Sequence, residues 1–316
     1  MKKSSLRYPI AILTACGAFL AGLTGVQKYC LSSAGKKQRE AFAGETYAST
    51  AGRVAYRRKG SGSPLVLLHG IYAGASSAEW DTLLPALSEQ FSVYAPDLPG
   101  FGNSCGTERP WTAYQYAQLL HEFIINVIKK PVFLCGANGG ADIALVFSRL
   151  YPEQAKKLIL ISPEGIGGGF ATDQDMRLLP LLLSPVAGTQ KLLLDTSKGS
   201  MKAMLAGLYH EQAAVPEALA ETLSVSARGA ERAQVTYAGI KTRFYAADTR
   251  AAFEKLELPF LMIWGEENRE NSCEHFYAAE KMKSFGEFVL FEKTAFFPHK
   301  ENKQAFLQNA EDFLNE

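Results

Sequence analysis

Gly136-Ala137-Asn138-Gly139-Gly140 is the stretch on which the reading of this chain turns. It follows the apolar run Pro131-Val132-Phe133-Leu134-Cys135 and leads into Asp142-Ile143-Ala144-Leu145-Val146-Phe147, which has helical character. A strand, a tight turn of small residues and a helix form the frame that presents a serine in G-x-S-x-G sequences. Here the central residue is asparagine, whose amide is a very poor nucleophile at neutral pH. The stretch builds a catalytic frame and omits the reactive atom.

Working outward, other runs are apolar on both faces: Pro64–Leu68, Phe91–Ala95, Leu158–Ile161, Phe260–Trp264 and Glu287–Phe291. Such runs mark central strands of a parallel sheet covered by helices. Thr46–Thr50 and Arg53–Arg58 bracket Ala51-Gly52 as an opening hairpin. Between the runs lie helical stretches. Ser77–Gln90 carries Trp80, Leu83, Leu84 and Leu87 on one face, and Thr112–Lys129 carries Tyr116, Leu119, Leu120 and Phe123, with Thr112 as N-cap. Cys273–Lys283 and Lys300–Leu314 complete the set. The alternation predicts an α/β fold with a mostly parallel eight-stranded sheet, helices on both faces, and ligand chemistry at the carboxyl ends of the strands. Residues 165–250 interrupt it with short, proline-broken helical pieces, expected to form a helical cap whose apolar content suits a greasy ligand. The core then comprises 46–164 and 251–316.

The chain has 316 residues, 47% hydrophobic and 21% charged, enough for one large α/β domain or two small ones. A net charge of +1 offers no basic field for nucleic acid. No pair among the five cysteines has metal-ligand spacing or reads as a disulfide framework, and no cofactor or metal is called for.

The first residues stand apart. Lys2, Lys3 and Arg7 precede about nineteen uncharged residues, Tyr8 to Val26, long enough to cross a bilayer as a helix. Residues 1–27 are expected to be a single membrane anchor. A cleaved secretory signal and a lipidated Cys16 in Leu13-Thr14-Ala15-Cys16 are the alternatives. Basic residues on both sides, Lys28, Lys36, Lys37 and Arg39 following the span, leave the side of the membrane open. Residues 28–45 read as a linker.

Five segments fall in register: Leu67-Leu68-His69-Gly70, Asp97-Leu98-Pro99-Gly100-Phe101-Gly102-Asn103-Ser104, the asparagine turn, Trp264-Gly265-Glu266-Glu267-Asn268, and Phe297-Pro298-His299-Lys300-Glu301-Asn302. In this order the chain resembles the α/β-hydrolase superfamily over roughly residues 46 to 316. The resemblance implies a nucleophile at Asn138, an acid at Asn268 and a histidine at Phe296, in the order Ser, acid, His. All three positions hold residues unable to perform those roles, which implies a degenerate triad and a pseudoenzyme. It also implies an oxyanion hole from the N–H of Gly139 and that of Ile71 or Tyr72, in a loop shaped by His69 and Gly70. These donors and the helix N-terminus fit a small anionic or apolar ligand, with a partner protein as the other expectation. An alternative is an active hydrolase of carboxylic esters or similar acyl substrates, using the displaced groups Glu164, Glu267 and His299. Asn138-Gly139 is also prone to deamidation. An aspartate there would resemble the nucleophile of haloalkane dehalogenases.

Overall fold

The structure, a computed structural model, describes residues 7–168 and 170–316, with side chains from residue 17 onward except at residue 214. Eight strands form one sheet: β1 (Glu45–Ser49), β2 (Gly52–Lys59), β3 (Ser63–Leu68), β4 (Phe91–Pro96), β5 (Val132–Ala137), β6 (Ala155–Ile161), β7 (Phe260–Gly265) and β8 (Glu287–Phe291). Their order is β1-β2-β4-β3-β5-β6-β7-β8. The β1–β2 and β2–β4 pairs are antiparallel, and every pair from β4 to β8 is parallel. β4 and β7 are buried along their whole length, as strands covered on both faces must be.

The helices are α1 (Arg7–Ala41), α2 (Leu84–Leu87), α3 (Ala113–Phe123), α4 (Gly139–Leu150), α5 (Asp173–Leu183), α6 (Ala187–Asp195), α7 (Lys198–Leu208), α8 (Leu219–Gly229), α9 (Ala233–Lys241), α10 (Arg250–Glu254), α11 (Cys273–Met282), α12 (Pro298–Glu301) and α13 (Lys303–Asn315). On one sheet face Tyr116, Leu120 and Phe123 of α3 and Ile143 and Phe147 of α4 pack with Val66, Leu134 and Leu160. On the other, Phe306 and Phe313 of α13 join Trp80, Leu83, Leu67 and Ile263. Helices α5 to α9 form the cap, with a small core around Leu192, Tyr237 and Leu182.

Local chemistry accounts for two departures in the helices. The single helix expected over Ser77–Gln90 is a 3₁₀ turn at Ser77–Trp80 followed by the four-residue α2, which has Pro85 in its first turn. Proline has no N–H to continue a preceding helix. The stretch expected from Lys300 divides into α12 and α13 at Asn302. Thr112 does cap α3, in a reciprocal box with Gln115.

The amino-terminal expectations need correction. Residues 32–41, expected within a linker, are helical and continue α1, consistent with strong helix formers such as Ala34, Lys36, Lys37, Gln38, Arg39 and Glu40. The helix lies on the cap. Gln27 Nε2 donates to Val186 O at 3.1 Å and to Gln190 Oε1 at 3.2 Å. Gly35 and Gly229 meet closely enough that a Cβ on Gly35 would lie 3.2 Å from the Gly229 carbonyl. The membrane anchor is overturned: among the described residues no helix is long and apolar enough to cross a membrane. Helix α1 runs past the expected span into the charged residues Lys28, Lys36, Lys37, Arg39 and Glu40, and it buries Gln27, Ala34 and Gln38. The signal-cleavage and Cys16 lipidation readings rest on residues 1–16, whose side chains lie outside the description.

Candidate active site

Asn138 sits between β5 and α4 with φ 51° and ψ −119°. Its N–H donates to Ile161 O at 2.8 Å, which ties the turn to the end of β6. Glycine is required on both sides. A Cβ on Gly136 would press on the Gly140 carbonyl, and one on Gly140 would lie 2.7 Å from the Leu68 carbonyl. Positive φ is a costly conformation for most residues, and asparagine tolerates it comparatively well. Asn138 is completely buried, and neither Oδ1 nor Nδ2 finds a partner among the described residues. An unsatisfied buried amide costs about 1–3 kcal/mol, so this turn is held by its surroundings.

The loop after β3 crosses in front of it. His69 is fully buried, with Nδ1 2.8 Å from Gly70 O and Nε2 accepting from Leu98 N–H at 3.1 Å. Burial holds its pKa below the usual histidine range, and both ring nitrogens are occupied, so His69 shapes the loop. Glu79, which the sequence reading did not single out, is the loop's anchor. Its Oε2 accepts from Gly70 N–H at 2.9 Å and from Tyr72 O–H at 3.1 Å. His299 Nε2 lies 3.0 Å from Glu79 Oε1, in contact though off the line of a good hydrogen bond. Burial alone would raise the Glu79 carboxyl, but the His299 ring, the nearby Lys300 and the Gly70 N–H together hold it down at about 2. The N–H groups of Ile71 and Tyr72 find no acceptor among the described residues.

Asn268 Oδ1 accepts from the N–H of Glu270 at 3.2 Å and of Asn271 at 3.1 Å, closing its own loop. The loops after β7 and β8 are zipped together: Glu266 N–H donates to Phe291 O at 3.0 Å and Glu267 N–H to Thr294 O at 2.9 Å. Phe296 packs edge-on against Tyr72 at 6.3 Å and against Phe297 at 4.8 Å. Glu301 Oε1 holds this segment through the N–H of Ala295 at 3.0 Å and of Phe297 at 3.2 Å.

The three displaced groups are not brought together. Glu267 is exposed and pairs with His210 at 2.6 Å. His299 is buried against Trp80, at 4.9 Å between rings, and against Glu79. Glu164 accepts from Tyr245 O–H at 2.7 Å, and burial raises its pKa.

A cavity of about 710 Å³ opens between the cap and the carboxyl ends of the strands. Met204, Leu208, Ile240 and Phe296 give it an apolar side, while Glu164, Lys241, Arg243 and the His275 ring give it a polar one. The cap's apolar content suited a greasy ligand, and the lining adds charged groups to that apolar surface. Ile71 and Tyr72 reach the wall; His69, Gly70, Asn138 and Gly139 do not. Ile71 and Tyr245 cover the elbow, since a Cβ on Gly139 would lie 2.7 Å from Ile71 Cγ1 and 3.1 Å from Tyr245 Cε2. Among the described residues no cluster could hold a metal ion.

Burial also lowers the pKa of His299 below its ordinary value. The unfolded chain therefore binds this proton more readily than the folded one below about pH 6.5, and the contribution of His299 to stability falls as pH drops through that range. Wild type is expected to lose more stability than His299→Gln between about pH 7.5 and about pH 5.5. Urea midpoints at the two pH values measure this, and equal losses would contradict it.

The model of the alpha/beta hydrolase family matches residues 65–307, and the chain belongs to that family. The pimeloyl-[acyl-carrier protein] methyl ester esterase of Aeromonas hydrophila is 27% identical over 273 residues, covering 83% of this chain and 99% of its own. A serine hydrolase of carbazole degradation is similar in structure, with a TM-score of 0.72 at 19% identity over 87% of this chain and 99% of its own. A bacterial membrane phospholipase A has a TM-score of 0.68 at 21% identity over 98% of both chains. At these identities the structural likenesses establish the fold.

Proposed function

We propose that this family member is non-hydrolytic and binds a small ligand with an apolar body and an acyl or carboxyl head in the cavity beneath the cap. The observation that carries this reading is Phe296, a ring without a movable proton at the position of the histidine, edge-on to Tyr72. Asn138 and Asn268 point the same way: one is a poor nucleophile, and the other carries no charge to steady an imidazolium. For binding, the cavity offers apolar surface at Met204, Leu208 and Ile240, and positive charge at Lys241 and Arg243 for an anionic head.

A second reading, hydrolysis through displaced groups, draws on the esterase and hydrolase activities named for the relatives. The separate partners of Glu164, Glu267 and His299 weigh against it. A panel of p-nitrophenyl esters distinguishes the two. Absence of turnover supports binding, whereas turnover abolished by Asn138→Ala or His299→Ala would establish catalysis.

Gly207, on α7 and in the cavity wall, has open space where a Cβ would stand. Gly207→Leu is expected to fill part of the cavity and weaken binding of medium-chain carboxylates by about tenfold or more, while gaining roughly 0.5–1 kcal/mol of stability from helix propensity. Native mass spectrometry and thermal shifts measure both. Undiminished binding in a folded variant would place the ligand elsewhere.

A further inference from the structure

The geometry points to Asn138–Gly139 as a self-modifying site, at which the backbone nitrogen of Gly139 closes on the Asn138 carboxamide to form a succinimide. This is the chain's single Asn-Gly pair. Ring closure needs Cβ of the asparagine and the following nitrogen to lie nearly eclipsed about the Cα–C bond, because the product ring is almost flat. In an L-residue Cβ stands about a third of a turn from its own nitrogen, and the ψ of −119° at Asn138 brings the Gly139 nitrogen almost into line with it. Most folded asparagines must leave their native backbone conformation to reach that arrangement. Here the elbow holds it.

Three further features favour closure. Both amide atoms of Asn138 lack a partner, so no hydrogen bond must break before the carboxamide turns. Gly139 offers no side chain to obstruct the approach. Its nitrogen is the first of α4, and the positive end of a helix favours charge withdrawn from an N–H. The atoms balance without any other reactant. The Gly139 nitrogen bonds to Cγ, the Cγ–Nδ2 bond breaks, and Nδ2 leaves as ammonia with its two hydrogens and the proton lost by Gly139. Water opens the ring only later, to aspartate or isoaspartate. With Asn138 completely buried, the imide is the first species to accumulate.

Closure also removes the Gly139 N–H, the donor that the family resemblance implies for an oxyanion hole. The inference itself stands on the turn and does not depend on a ligand.

The test is intact-mass measurement and peptide mapping of full-length protein incubated at mildly alkaline pH, in buffer and in denaturing urea. A species lighter by one ammonia, assigned to the peptide holding Asn138-Gly139, is expected to form about tenfold faster in the folded protein, the factor corresponding to the backbone ordering already in place. Isoaspartate at position 138 records the same closure followed by ring opening. Asn138→Ser should abolish the mass loss. Asn271, whose side chain is bonded to Ser162 O at 3.1 Å and to His275 at 2.9 Å, should remain intact under the same conditions. A slower reaction in the folded protein than in urea, an intact Asn138, or aspartate alone without imide or isoaspartate would overturn the inference.

Discussion

The triple variant Asn138→Ser, Asn268→Asp, Phe296→His is expected to gain p-nitrophenyl ester hydrolysis of on the order of 10²–10⁴-fold over wild type, the contribution of a positioned acid–base group. The supporting geometry is already present. Asn138 occupies the turn at φ 51° that displays a nucleophile, and the Ile71 and Tyr72 amides are without acceptors. The Asn268 and Phe296 loops are joined through Glu266, Glu267 and Thr294. Each single variant should stay near the wild-type baseline, because triad members act as a unit. Initial rates against all three singles and the triple decide the matter. A folded triple variant without turnover would mean that Ile71 and Tyr245, which cover the elbow, keep substrate from it.

Glu79→Ala should be the most damaging single replacement on the catalytic face. It removes the acceptor for Gly70 N–H and Tyr72 O–H and the partner of His299, all within fully buried surroundings. Breaking such a buried charged network costs about 3–5 kcal/mol. Because the Glu79 carboxyl is held down at about 2, its contribution is complete above its ordinary value of 4.5 and fades as pH falls from there toward 2. The deficit of Glu79→Ala relative to wild type should therefore shrink in acid. Urea unfolding near neutrality and near about pH 3.5 measures it. A loss below about 1 kcal/mol at neutral pH would show that water replaces the carboxylate without cost.

The sheet was readable in the sequence because β3 to β7 are buried between helical layers, and continuous apolar runs are the direct trace of that burial. The turn at Asn138 was readable because its glycines answer to contacts of the backbone with itself. What escaped depended on contacts distant in the chain. Glu79 lies beside Trp80 in a stretch with helical periodicity, and only the closing of the 69–72 loop over it makes it a buried anchor. Tyr245 belongs to the tail of the cap and shows its part only where it meets Glu164 and covers Gly139. The difference over residues 28–41 has the same origin. Polar, alanine-rich sequence suits a tether and a solvated helix equally, and the choice is made by a cap surface that offers Gly229 as a seat for Ala34 and Gly35.

That seat has a mechanical meaning. Helix α1 grips α6 through Gln27 and α8 through Gly35, so two helices of the cap are braced from outside by an element that precedes the whole sheet. A load on the amino-terminal helix is delivered to these two helices. The seating of the cap is thus tied to an element remote in sequence from every residue of the elbow.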